Sequence, residues 1–323
     1  MIKRIDCHLD WRLRALCGKT YGILPYRRKI NYFLKKNVIK SIPFSMIPHI
    51  KDKLPSILQI VSNNYVKKVD ISMDQINFLE IGAGDHLINT LMVYLMGGRS
   101  NVVDIDHVVD FSIMKSAFSD YKNVLSQNNI NGKNVNLYRL RKLNDIFDRN
   151  HLNKMDFVRL LGDIGINYVV AKRPEYSKFF DSESIDVVIS EAVLEHVSKS
   201  DIRLMMINLK KILKPNGILL FYIDLRDHYA RYKNSNEYNY LSFSDLMWNR
   251  FFNTPMLYQN RLTIDEYYKL FTDNGFRILS SKETTGDVCQ LTQLKTMKIN
   301  KRFLSIPIKR LMVRKVEVLM VND

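Results

Sequence analysis

Apolar residues along this 323-residue chain fall into two periods, and their order predicts the architecture. Short, mostly apolar runs at residues 76–81, 101–105, 166–170, 185–190 and 217–223 read as strands buried in the sheet. Stretches between several of them repeat apolar residues every three to four positions and read as helices, notably 202–213. Strand and helix alternate, which favours right-handed crossovers and a parallel sheet with helices on both faces. The gap 107–165 is too long for a structureless loop, and helical spacing at 138–147 and 155–161 places extra helices there. Pro215 and Gly217 mark a helix stop before the fifth strand. Thr263 and Glu266 form a capping pattern for a helix ending near Asn274 and Gly275, residues 276–281 read as a strand, and 314–321 alternates as a last, antiparallel one. Residues 1–75 look helical and separate from the sheet, with Pro25 suited to a first helical turn and Pro43, Pro48 and Pro55 punctuating the stretch beyond it. The expected organisation is a basic helical N-terminal cap over 1–75, then a sheet domain over 76–323 with insertions near 107–165 and 225–262.

The first strand runs into Glu80, Gly82, Gly84 and Asp85, and the second ends in Asp104 and Asp106. Glycines at such a bend let the backbone approach a ligand, and a carboxylate past the next strand suits ribose hydroxyls. A dinucleotide fingerprint needs a third glycine, which is missing, and Asp85 would repel a pyrophosphate. Glu80, Gly82 and Gly84 instead match the E-x-G-x-G turn of class I S-adenosylmethionine-dependent methyltransferases. The stretch 184–197, with Asp186, Ser190, Glu191, Leu194, Glu195 and His196, resembles the fourth-strand motif of the small-molecule members of that family. Segments 222–229, 240–248 and 258–262 look like a bacterial subgroup associated with surface-polysaccharide and secondary-metabolite pathways.

The resemblance implies a Rossmann-like, mostly parallel sheet and S-adenosylmethionine as cofactor. It places Glu80 near the methionine amino end, Gly82, Gly84 and Asp85 around the bend, Asp104 on the ribose with Asp106 as second choice, and Ser190, Glu191 and Ala192 beside the methyl group. The third strand lacks the acid that often meets the adenine amino group, so backbone near Ala171 is the alternative. The histidines His86, His107, His196 and His228 follow predicted strands, where ligands of open α/β sheets lie. His86 and His107 read as cofactor-pocket walls. For a hydroxyl acceptor, His228 is the first choice of general base, oriented by Asp224 or Asp227, and His196 the second. Asp224, Asp227 and His228 form an alternative divalent-metal set, although no metal is assigned. Asp227, Tyr258, Asn260 and Arg261, with Phe243 and Trp248, are candidates for the acceptor pocket; an arginine fork there suits a phosphate or carboxylate. The aromatic pair can equally be packing.

The formal charge of +16 changes the picture of partners more than of fold. Residues 1–75 hold 15 Lys/Arg against 5 Asp/Glu, and 295–323 hold 8 against 2, so these ends carry the whole excess. Such ends suit an anionic membrane surface or a pyrophosphate-bearing substrate, or are simply solvated. RNA is the competing partner, disfavoured because no recognisable RNA module appears and no N/D-P-P-Y motif follows the fourth strand. Cys7, Cys17 and Cys289 have no paired spacing and imply free thiols. With no signal peptide or spanning segment legible at the start, the expectation is a cytoplasmic enzyme, with peripheral contact at the inner membrane face as an extension. The expected activity is O-methylation of a sugar or other small or lipid-linked acceptor using a histidine base.

Overall fold

A computed structural model describes residues 10–23, 45–126, 135–149, 152–254 and 257–323. The sheet has seven strands in the order β3-β2-β1-β4-β5-β7-β6. They are β1 (Asn77–Ile81), β2 (Arg99–Asp104), β3 (Ile166–Val170), β4 (Ile185–Glu191), β5 (Leu213–Asp224), β6 (Phe276–Thr285) and β7 (Val313–Asn322). β1 to β5 pair in parallel, and β7 runs antiparallel between β5 and β6. Chain order reverses between β1 and β4, so the carboxyl ends of those two strands form the crevice where such sheets bind ligands.

Alternation along the strands feeds two cores. Phe78, Val187, Ile189, Ile218 and Leu220 face one layer, while Leu79, Ile81, Val188, Leu219 and Phe221 face the other. The first layer contains α3 (Ile88–Leu95), α4 (Phe111–Ser126), α5 (Leu137–Phe147) and α6 (Lys154–Asp163). The second contains α7 (Lys199–Ile212) and α8 (Ile264–Asp273). The predicted Thr263/Glu266 capping box is present at the start of α8, and Ser198 caps α7 by accepting from the Asp201 N–H.

Three regions add to the sequence reading, and only α4 departs from it. α4 lies in the part of the 107–165 gap where no helix is expected, although Phe111, Met114, Phe118 and Tyr121 sit on one helical face; Asp110 starts it by accepting from the Ser112 and Ile113 N–H groups. The helical N-terminal region joins the sheet's first layer: α2 (Leu54–Val61) buries Leu54, Ile57 and Val61 in the same core as α3 and α4, and the Tyr65 hydroxyl donates to Asp186. The expected helix at Pro25 and the residue Cys7 lie outside the described residues. In the 225–262 insertion, Trp248, Tyr229, Tyr240 and Phe252 form a third core with Trp11 of α1 (Trp11–Ile23), whose ring lies 4.7 Å from that of Phe252. Among the described residues no helix is long and apolar enough to cross a membrane.

Candidate active site

Two cavities open side by side at the carboxyl end of the sheet. The first, about 440 Å³, is lined by Gly82 and Gly84 of the bend, Val103 and Asp104 at the end of β2, Ala171 to Pro174 after β3, and Ala192, His196 and Met205. Gly82 and Gly84 have φ of +71° and +70°, a region costly for residues with a Cβ. A Cβ on Gly82 would strike the Val193 side chain, whereas one on Gly84 meets nothing within 4 Å because the cavity lies beyond it. The backbone at Gly84 is therefore laid open to a ligand.

Asp104 is buried at the cavity wall, where it accepts from the Tyr168 hydroxyl at 3.2 Å. Burial pushes its carboxyl up to about 7, against the opposing pull of Tyr168 and the Gly84 N–H. Mostly apolar walls with one carboxylate at the end of β2 fit an adenosine, whose ring is apolar and whose ribose hydroxyls donate. Asp106 is exposed, accepts from the His107 N–H and is not on the lining, so Asp104 is the better-placed acid.

Other expected cofactor residues sit differently. Glu80 alternates to the α3 face of β1 and is engaged inside the protein: Asn89 donates to it at 2.8 Å and the Thr90 N–H at 3.0 Å. It anchors α3 under the glycine bend and does not line the cavity. Burial raises its pKa, with Thr90 and Asn89 opposing. Ser190 is fully buried and donates to the Ile81 carbonyl at 3.1 Å, tying β4 to β1. Glu191 forms an ion pair with Lys53, and the His49 ring lies 3.9 Å away. Asp85 is half-buried and outside the lining. His86 and His107, expected as walls, are also off the lining: His86 accepts from the Ile88 N–H at 3.2 Å, and His107 stacks on Tyr168.

The second cavity, about 520 Å³, is lined by Glu195, His196, Asp224, Arg226, Asp227, His228, Arg231 and Glu237 among others. It shares Ala192 and His196 with the first. Ala192, at the junction, has φ of +53°, a strained conformation for a non-glycine residue. The His196 and His228 rings are 4.6 Å apart. His196 Nδ1 lies 2.9 Å from the Tyr258 carbonyl, which can only accept, so Nδ1 carries the proton and Nε2 the lone pair. Burial and neighbouring His196 lower His228 to about 3. Burial pushes Glu195 up to about 8 and Asp227 up to about 7.

The expected helpers of His228 and the expected acceptor residues are largely occupied elsewhere. Asp224 binds Arg226, with Nε at 2.9 Å; burial raises its pKa, but Arg226 outweighs that and holds it below the usual range. Asp227 accepts from the Tyr229 N–H at 2.7 Å. Arg261 is buried and donates to the Tyr240 and Phe243 carbonyls at 2.8 and 2.7 Å and to Asp245, so it braces the aromatic core and not an acceptor. Asn260 donates to the Leu194 and Val197 carbonyls, each at 2.7 Å, and fixes the turn that carries Glu195 and His196. Tyr258 contributes its carbonyl to His196 and is not on either lining. Phe243 and Trp248 pack with Trp11 and Phe252. Arg231 and Glu237 escape a reading of the sequence, because only the return of the insertion brings them to the cavity. Glu195 has no role in that reading either; an acid directly before a histidine is the available signal.

With the geometry in place, the chain can be set beside known proteins. A family model described as "Methyltransferase domain" matches residues 26–281. The chain belongs to this family, and it is an S-adenosylmethionine-dependent methyltransferase. Similar solved structures include an S-adenosylmethionine-dependent methyltransferase from Mesorhizobium loti, 12% identical over 76% of this chain and 90% of that one, with a TM-score of 0.36. Another is a methyltransferase from Methanosarcina mazei, 13% identical over 76% and 91%, with a TM-score of 0.39. A third is geranyl diphosphate C-methyltransferase from Streptomyces coelicolor A3(2), 11% identical over 87% and 86%, with a TM-score of 0.42. No match is found among the curated proteins.

Proposed function

We propose that the chain methylates a hydroxyl oxygen of a small, polyhydroxylated acceptor, of sugar type, seated in the second cavity. The observation that carries the reading is the shared wall: Ala192 and His196 line both cavities, so a donor in one and an acceptor in the other meet at His196. Gly82, Gly84, Asp104 and backbone near Ala171 would hold the donor, which supplies an activated methyl group. Displacement in line requires the acceptor to be aligned behind that methyl, and holding the two in adjoining cavities supplies the alignment.

A hydroxyl is a poor nucleophile until its proton is taken up. We assign that role to His196 in preference to His228 on position. His196 faces both cavities, and the Tyr258 carbonyl holds its Nδ1 so that the Nε2 lone pair serves the acceptor. Asp224, Asp227 and Glu237 offer hydrogen-bond acceptors to further hydroxyls, and Arg231 offers a cation to a negatively charged portion, the pyrophosphate of a lipid-linked sugar being one candidate. The test is methyl transfer from labelled S-adenosylmethionine to a panel of sugars, sugar phosphates, amines and RNA. Transfer to a hydroxyl compound, lost in His196→Ala with donor binding intact, supports the reading. Transfer to amines or RNA alone contradicts it.

A further inference from the structure

The second cavity contains polar atoms whose partners the protein itself does not provide. Glu195 is 2% exposed, and its Oε2 has no hydrogen-bond partner. His228 Nδ1 is likewise buried and unpartnered. A carboxyl oxygen shut away without a partner costs several kcal/mol by order of magnitude, so a persistent one signals a bound proton, water or cation. One donor atom from each of Glu195, His196 and His228 lies within 4.8 Å of the other two.

From this juxtaposition we infer that Glu195, His196 and His228 form a binding site for a divalent transition-metal ion in the wall of the acceptor cavity. Two imidazoles and one carboxylate suit zinc, cobalt, manganese or iron(II), whereas magnesium and calcium prefer oxygen alone. Donors around a tetrahedral ion at about 2.1 Å stand roughly 3.4 Å apart, so small side-chain rotations close the site. The outer contacts are also those of a metal ligand. His196 gives its Nδ1 proton to the Tyr258 carbonyl, which fixes the ring and leaves Nε2 for an ion. Asn260 holds the Glu195–His196 turn by its contacts to Leu194 and Val197.

Asp224 pairs with Arg226 and Glu237 with Arg314, so of the carboxyls that line the cavity it is Glu195, with its unpartnered Oε2, that stands ready for an ion. Arg226 is paired to Asp224 and lies 3.7 Å from Glu237, so it does not oppose an ion. Three protein ligands leave a coordination position open to the cavity, where an acceptor hydroxyl could bind and be acidified by the ion. In that state the Nε2 lone pair of His196 would go to the ion, and the hydroxyl proton, made acidic by the ion, would pass to Asp224 on the cavity wall or to solvent. The ion's role therefore rests on the function proposed above, but its existence does not.

The test is titration of chelator-treated full-length protein with Co²⁺ alone, followed by calorimetry and by the visible absorption of the bound ion. One ion per chain is expected, with affinity falling by more than about 100-fold in Glu195→Gln and in His228→Ala, since even outer-contact losses cost 10–100-fold. Circular dichroism and S-adenosylhomocysteine binding report whether each variant is folded. No stoichiometric uptake by the unmodified protein overturns the inference, as does unchanged affinity in folded variants. Stoichiometric uptake without hydroxyl methylation upholds the site and removes the proposed function; hydroxyl methylation without uptake does the reverse.

Discussion

The two cavities that meet at His196 are built on opposite plans. The donor cavity is made largely of backbone and apolar walls from the ends of β1, β2 and β3 and from the turn after β4, with Asp104 and Asp201 as the carboxylates of its lining. The acceptor cavity is made of charged and imidazole side chains brought in by the turn after β4 and the insertion after β5. A cavity shaped by glycine φ angles and strand ends holds one ligand in one pose. A cavity made of side chains on turns is set by their contacts, and its specificity can change by substitution without disturbing the sheet.

The contrast is broken most severely at the shared wall. His196→Ala should reduce turnover by about 10²–10⁴-fold with a much smaller change in S-adenosylhomocysteine affinity; equal loss of both would mean that the cavities are not separable. Arg261→Ala should destabilise the fold by about 3 kcal/mol, because two buried carbonyls lose a charged donor, and should do so with the donor cavity still binding. Thermal unfolding with and without S-adenosylhomocysteine reads both effects. Asp104→Ala should weaken S-adenosylhomocysteine by about 1.5–3 kcal/mol, seen by calorimetry, with Asp106→Ala nearly silent.

The smallest effects sharpen the donor side. Tyr168→Phe, which removes the 3.2 Å hydrogen bond to Asp104, should cost about 1 kcal/mol of donor affinity. Asp104 titrates near 7 in the folded protein, above its ordinary value of 3.8, so it keeps its proton below that pH. Donor affinity should fall as pH drops through 7 and the carboxylate is lost. In the ligand-free protein this same group contributes stability that is present in acid and declines as pH rises from about 4 to 7, because the folded state binds the extra proton. Asp104→Asn should flatten both profiles.

The difference in plan also decides what is legible in the sequence. The glycine bend, the β2 acid and the five parallel strands can be read because each is a local pattern: a turn with required φ values, or an apolar run of fixed length. Glu80 misleads for a local reason too, since the alternation that places it on β1 also turns it towards Asn89 and Thr90 of α3. The acceptor side depends on contacts between residues far apart in sequence. Tyr258 holds His196 through a carbonyl 62 positions away, and no side-chain pattern advertises a carbonyl. Arg261 and Asn260 resemble acceptor ligands because they are polar in an aromatic stretch, yet each satisfies backbone groups that the insertion would otherwise bury unpaired. α4 has a regular apolar face, but no glycine or proline between residues 107 and 126 marks where it begins or ends.

The central claim is that the bend at Gly82 and Gly84 and the acid at the end of β2 hold the donor. A crystal structure of the protein grown with S-adenosylhomocysteine tests it most directly. The account predicts the nucleoside in the cavity between Gly84, Asp104 and Ala171, with its ribose hydroxyls on the Asp104 carboxylate and its sulfur towards Ala192. Density for the nucleoside elsewhere, or a ribose turned away from Asp104, would contradict it.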